Sequence, residues 1–384
     1  MVPSLSLLRP EHKRLSETAR AAVLEGFNQP LAVRTFPLAL HVEPGAARVR
    51  VTMAGVCGTD VHLWRGELPL ALPVILGHET TGILEELGSG LNPGLNKDWR
   101  GEPLEVGDRI TWASSIACGE CFYCRLKSQP TRCLSRKAYG ISYNATEAPH
   151  LRGGFAEQIL LRPGTAIFRL PADLPDQALL GAGCALTTAI HGMERAPLAW
   201  RDIVVVQGVG PVGLAAIAVC RDAGASRIIA IGGPRHRLQL AREFGADVVI
   251  DVAEFPLPEE RRQIVLKESG GFGADQVIEC VGKPEAVNEG LELGRDGAQF
   301  LVLGQYGNAG NISFNPHTVT RKQLRVVGSW GFEPRHLNRA IEMLQAGWKD
   351  RFAAAVTHRF SLDNVNEAME HTRAWRGGKT VIVP

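Results

Sequence analysis

Four cysteines stand in one short stretch, Cys118, Cys121, Cys124 and Cys133, spaced C-x2-C-x2-C-x8-C. Thiolates so close together suit a closed tetrahedral zinc site that ties a loop together, a structural role. An iron–sulfur cluster also uses cysteines two residues apart, and four free thiols or loop disulfides are the plain alternatives. Thiols this dense oxidise easily in a cytosolic chain unless a metal holds them, which favours zinc.

Three more residues could take a metal. Cys57 lies in Gly55-Val56-Cys57-Gly58-Thr59-Asp60-Val61-His62, His78 in Gly77-His78-Glu79, and Cys184 in Gly183-Cys184-Ala185. Brought together, two thiolates and one imidazole would leave a fourth position open, as a catalytic zinc requires. Taken singly, the cysteines read equally well as small buried apolar residues and the histidine as a satisfied core group. Nothing in their spacing joins them.

A third pattern points to a dinucleotide. Gln207-Gly208-Val209-Gly210-Pro211-Val212-Gly213 follows an apolar run, Ile203 to Val206, and opens a helical stretch. In G-x-G-x-x-G, Gly208 allows the tight turn, Gly210 lets the backbone approach a pyrophosphate, and Gly213 permits close helix–strand packing. Pro211 and Val212 then begin a helix whose free N–H groups and positive end favour phosphate. The next strand, Arg227 to Ile231, runs into Gly232-Gly233-Pro234-Arg235-His236-Arg237 and not into an acid. With no carboxylate there to repel a 2′-phosphate and with Arg235 and Arg237 close by, the pattern leans to NADP over NAD. The alternative is that both arginines are solvated helix residues.

These groups need elements to position them. A chain of 384 residues exceeds one ordinary core and predicts two or three domains. Residues 1–20 read as a polar extension. Residues 21–185 are β-rich, as in the alternating run Arg48 to Thr52, and include the cysteine lobe at 118–133. Residues 186–328 alternate buried strands with helices, which predicts a parallel sheet with helices on both faces. The tail, 329–384, lacks a core of its own and is expected to fold back on the first part.

Composition excludes other classes. Charged residues make up 21%, with 42 basic against 40 acidic, a net charge of +2. That balance gives no reason to expect nucleic acid or an anionic membrane as partner. No apolar run is long enough to span a bilayer. Val2 to Leu8 is apolar, but Arg9, Glu11, His12, Lys13 and Arg14 follow without a cleavage site, so a cytoplasmic location is expected.

Taken in order, these motifs resemble the zinc-dependent medium-chain dehydrogenase/reductase family, which includes alcohol, sorbitol and threonine dehydrogenases. The likeness runs from about Gly26 to the C-terminus. It rests on Gly55 to His62, Gly77 to Glu79, the four-cysteine lobe and the glycine-rich turn. The resemblance implies a GroES-like β-barrel catalytic domain, rejoined by the tail, and a Rossmann doubly wound parallel sheet between. It implies catalytic zinc on Cys57, His78 and Cys184, the ligand types for which alcohol dehydrogenases are known. A second zinc in the lobe makes two per chain. Glu79 resembles a family residue near the metal, a transient ligand or an electrostatic tuner. Thr59 and His62 resemble the family's proton relay.

The implied reaction is reversible hydride transfer between a primary or secondary alcohol, or a polyol, and NAD(P). Trp64 and Trp330 are candidates for the substrate pocket, though tryptophans are more often simply packed. Homodimers or homotetramers are the family's assemblies. Two departures stand out: the gap from Cys124 to Cys133 is one residue longer than in many members, and no acid stands near Gly232. Other readings are a quinone or enone reductase of the same fold, whose members generally lack these ligands, and a non-catalytic zinc- or cofactor-binding protein.

Overall fold

The computed structural model describes residues 17–89, 96–374 and 377–384. Of the extension expected over residues 1–20, residues 1–16 lie outside this range, and Thr18 already begins a strand, Thr18–Leu24.

The β-rich part is built around Ala47–Val56, whose apolar side chains pack with Leu84, Ile110 and Phe155 in one core. Its sheet runs Ile167–Arg169, Arg109–Trp112, Glu79–Leu87, Ala47–Val56, Lys379–Val383, Val356–Ser361, with Gln158–Leu161 also paired to Ala47–Val56. The last strand, Lys379–Val383, lies antiparallel to Ala47–Val56, with Ile382 opposite Ala54. The chain's end thereby flanks the strand that leads into Cys57.

Helix α1 (Gly58–Trp64) follows that strand at once. Helix α2 (Asp176–Arg195) is interrupted at Gly183, so the domain boundary expected at residue 185 falls inside a helix. Helix α3 (Pro211–Asp222) and helix α4 (Arg235–Glu243) belong to the α/β part.

There, Ile203–Gln207 reads Ile-Val-Val-Val-Gln, apolar on both faces, as a strand covered by helices on each side must be. Val204 and Val206 pack in the core shared with α2 and α3, while Val205 faces a second core with Val265 and Leu291. The six strands run Val248–Asp251, Arg227–Gly232, Ile203–Gln207, Ala274–Glu279, Gly294–Val302, Arg325–Gly328, all parallel. Chain order reverses between Ile203–Gln207 and Ala274–Glu279. Loops leaving those two strands diverge and open a crevice at their carboxyl ends, where such sheets bind ligands. Among the described residues no helix is long and apolar enough to cross a membrane.

Candidate active site

Cys57 precedes α1 in extended conformation, φ −106° and ψ 159°. Its N–H donates to Asp60 Oδ2 at 2.8 Å, so the carboxylate three residues on closes the helix start. Asp60 Oδ1 accepts from the Gly77 N–H and meets His78 Nδ1, each at 3.3 Å. This wholly buried carboxylate pins two ligand segments together. By engaging Nδ1 it leaves Nε2 as the imidazole nitrogen free to bind a metal. Asp60 stands within the Gly55 to His62 motif, and its place three residues after Cys57 is a capping signal.

Cys184 arrives from the break in α2. Gly183 has φ 49°, where a side chain is disfavoured, and a Cβ on it would stand 2.6 Å from Glu79 Oε1. The break turns the Cys184 N–H onto Glu79 Oε1 at 2.7 Å. The other Glu79 oxygen accepts from Lys379 Nζ, the two side chains being 3% and 8% exposed. Lys379 lies 300 residues from Glu79 and carries no motif, so nothing local could have signalled it.

The ligand atoms of Cys57, His78, Glu79 and Cys184 all lie within 4.8 Å of one another, and the two sulfurs are 3.4 Å apart. Both Glu79 oxygens are engaged, which leaves two sulfurs and a nitrogen as the donor set. That set fits zinc.

Protonation fits it too. The hydrogen bond with Cys184 holds the Cys57 thiol well below its usual range despite burial. The same bond, with burial added, pushes Cys184 up. Burial lowers His78, but Asp60 and Cys57 outweigh it and the imidazole ends well above its usual value. Burial raises Glu79, yet Lys379 and His78 bring it down to about 2. A cation would displace the protons shared by these thiols and the imidazole, because thiolate and neutral imidazole are the ligating forms.

Cys118, Cys121, Cys124 and Cys133 form a second group, their sulfurs also within 4.8 Å of one another. Cys118 N–H donates to Cys133 Sγ at 3.2 Å, and Cys121 N–H to Cys118 Sγ at 3.4 Å. Backbone hydrogen bonds at Leu134 and Cys124 bring Cys121 down to about 6, while burial pushes Cys124 up to about 12. A 3-10 turn at Pro130–Arg132 takes up the long gap and delivers Cys133. Four soft donors with N–H groups on their sulfurs fit a closed zinc site.

At the crevice, Gly208 has φ +92° and lies against the Cys280 backbone of the neighbouring strand. A Cβ on Gly213 would fall 1.8 Å from the Gly208 carbonyl oxygen, so α3 packs on the turn as closely as backbone permits. Gly210 caps α3 and Pro211 opens it, so the first free N–H groups point out of the turn near Val212. This cradle fits a dinucleotide pyrophosphate.

One expectation about this edge needs correction. Gly232 ends its strand without an acid, but register sets Asp251 of the next strand directly opposite. Asp251 is remote in sequence, and only the pairing brings it there. Its Oδ1 accepts from the Ala253 N–H at 2.9 Å. Arg235 is exposed at the start of α4, and Arg237 is half-buried, with burial lowering its pKa.

Thr59 and His62 lie one turn apart on α1. Thr59 is half-buried near Cys57, and His62 is 43% exposed, its Nδ1 meeting Glu67 Oε2 at 2.5 Å. Trp64 is a packing residue: its Nε1–H donates to the Gln29 carbonyl at 2.7 Å and its ring rests on the β-rich core. Trp330 instead stacks on Tyr306.

With this geometry in view, two family patterns match the sequence. The alcohol dehydrogenase GroES-like domain covers residues 43–172, and the zinc-binding dehydrogenase family covers residues 211–346. The 5-exo-hydroxycamphor dehydrogenase of Pseudomonas putida is 37% identical over 95% of this chain and 98% of its own. The chain belongs to the zinc-dependent medium-chain dehydrogenase/reductase family.

The crystal structure of a Thermotoga maritima alcohol dehydrogenase superposes with a TM-score of 0.90 at 35% identity, covering 96% of this chain and 99% of that one. A Sinorhizobium meliloti protein solved with NADP reaches 0.81 at 28% identity, covering 96% and 100%. The dehydrogenase is therefore an oxidoreductase of the NAD(P)-dependent alcohol dehydrogenase class, with zinc as its family's metal and a small molecule as substrate. Its β-rich part is the GroES-like domain and its parallel sheet the dinucleotide-binding one.

Proposed function

We propose that the dehydrogenase interconverts a primary or secondary alcohol, or a polyol, with its carbonyl at a zinc held by Cys57, His78 and Cys184. The convergence of these groups with Glu79 within 4.8 Å, from three distant segments, carries the reading. Bound there, zinc would supply Lewis acidity toward the alcohol oxygen and NAD(P) the hydride acceptor. The chain's own groups handle the proton and the charge. Thr59 Oγ1 accepts the alcohol proton while releasing its own, and His62, exposed and bonded to Glu67, passes it to solvent. Glu79, kept anionic by Lys379, tunes the field at the cluster, and it serves as a transient ligand only when one oxygen leaves the Cys184 N–H or Lys379.

Cys118, Cys121, Cys124 and Cys133 hold a second, structural zinc in this proposal, giving two per chain. Gly208, Gly210, Pro211, Val212 and Gly213 receive the pyrophosphate. Gly232, Arg235 and Arg237 receive the adenosine ribose, with NADP preferred. Support comes from Arg235 and Arg237 just beyond Gly232, while the carboxylate of Asp251 opposite Gly232 gives one of its oxygens to the Ala253 N–H. The division into 21–185 with 329–384, and 186–328, belongs to the same reading. It is supported by the pairing of Lys379–Val383 with Ala47–Val56. A homodimer or homotetramer is proposed through the sheet edge Arg325–Gly328, where Val326 is 50% exposed. A cytoplasmic location suits eight cysteines that all carry free thiols.

Zinc per chain and a screen of alcohols with NAD and NADP in parallel test this reading. Two zincs and faster reduction of NADP are expected. One zinc with no alcohol oxidised would remove the catalytic site as described.

A further inference from the structure

A cavity of about 270 Å³ opens between the base of the cysteine lobe and the segment that leads into the helix Pro334–Met343. Of the residues around it, only Phe332 also lines the cavity at His78, Glu79 and Cys184, so the two are separate spaces.

Arg136 runs along the wall of this cleft. Its Nε donates to Ser115 Oγ at 2.9 Å. Its Nη1 and Nη2 stand 3.2 and 3.3 Å from where a Cβ on Gly331 would lie. Ser115 lines the cleft, and so does Phe332, the residue after Gly331, so the guanidinium spans the two. Among the described residues no carboxylate pairs with Arg136, and burial lowers its pKa. Glu333 also lines the cleft, but its carboxylate accepts from Arg335 Nε at 2.8 Å. A half-buried guanidinium without an anion has given up water and gained little in return. With Nε taken by Ser115, the two Nη groups remain as a planar pair of donors, the geometry that a carboxylate matches. Lys97 adds a second positive charge to the lining.

The remaining wall is largely apolar, with Trp99, Ile116 and Phe332 in it. Trp99 is 46% exposed, and its ring is held against Phe168 with centroids 5.4 Å apart. The volume falls just below the roughly 300–1,000 Å³ of pockets for drug-sized ligands, so one ring with one charged group is the size that fits.

We propose that this cleft is a second ligand site, apart from the metal cluster, and that it takes a small carboxylate on a flat apolar body, with the carboxylate on Arg136 and the body against Trp99. The inference does not depend on the catalytic reading. Benzoate is the probe, compared with benzamide, which lacks the charge, and acetate, which lacks the ring. Calorimetry follows binding to the zinc-loaded native chain, to Cys57→Ser, and to Arg136→Gln and Trp99→Ala. Cys57→Ser removes a metal-cluster zinc as a competing carboxylate site.

Benzoate should bind native and Cys57→Ser chains alike, about one per chain, with a Kd on the order of a millimolar or tighter. Benzamide and acetate should bind at least about tenfold more weakly. Arg136→Gln and Trp99→Ala should each weaken benzoate about tenfold. Melting temperature and zinc content identify any variant that has not folded, and the three ligands on the native chain decide without it. Benzamide binding as tightly as benzoate would overturn the proposal. So would undiminished benzoate binding in Arg136→Gln, or no saturable binding to the native chain. Benzoate binding that disappears in folded Cys57→Ser would place the anion at the metal cluster, which sinks the second site and leaves the catalytic reading standing.

Discussion

The two metal-type clusters reach the same ligand spacing by opposite routes. The lobe draws all its sulfurs from residues 118–133, closes with a 3-10 turn, and leaves Cys118 exposed. Its sulfurs are bonded by the N–H groups of their own loop. The other cluster draws on Cys57, His78 and Cys184, is braced by the buried Asp60, and is flanked by a Glu79–Lys379 pair spanning most of the chain. A closed four-sulfur site can only hold a loop. A site with two sulfurs and one nitrogen, its carboxylate neighbour occupied elsewhere, can also accept a substrate oxygen. In the proposed reading, locality separates a stabilising site from a reactive one.

Substitutions in the two places should break differently. Cys57→Ser is expected to cost on the order of a thousandfold or more in kcat/KM, the range of a lost Lewis acid. Zinc should fall from two to one per chain while circular dichroism stays native. Two zincs with full loss of activity would mean that Cys57 is not a ligand. Cys121→Ser should also remove one zinc, but it should lower thermal stability by several kcal/mol. Activity per folded chain should stay within about tenfold, because the lobe takes no part in proton or hydride transfer. Equal catalytic losses in the two variants would erase the distinction.

Lys379→Met tests the tertiary part of the buried cluster. It leaves the Glu79 carboxylate buried without its cation, a change that typically costs about 3–5 kcal/mol, and adding Glu79→Gln should recover part of it. Denaturant titration reads both. The pH sign follows from Glu79, whose folded pKa is lowered to about 2. Its contribution is complete above the ordinary carboxylate range and is lost as pH falls toward about 2. Native protein should therefore lose stability over that acid interval, with a shallower slope in the double variant. The smallest effect is expected at Thr59→Ala, about a hundredfold slower turnover with both zincs retained. Unchanged turnover would remove Thr59 from the proton path.

The parallel sheet was the most legible part of the fold. Ile203–Gln207 and Arg227–Gly232 were each placed within one residue, because a doubly covered strand is an unbroken apolar run. Less regular pieces escaped. Pro258–Glu268 is a helix with little amphipathic contrast, and Arg325–Gly328 is a largely exposed edge strand, so neither carries a strong period. Trp64 and Trp330 looked alike in sequence. One caps a core edge and the other stacks at the carboxyl end of the sheet.

By itself the sequence determined what local spacing can hold: the cysteine lobe, the cap from Cys57 to Asp60, and the strand–turn–helix at Gly208 to Gly213. Each depends on atoms a few residues apart, whose separation backbone geometry restricts. Only the tertiary structure decided that Cys57, His78 and Cys184 meet, that Lys379 clamps Glu79, and that Asp251 stands opposite Gly232. Those neighbours are set by strand register and by a helix broken at Gly183, and no short stretch of sequence encodes how far apart two remote segments will lie.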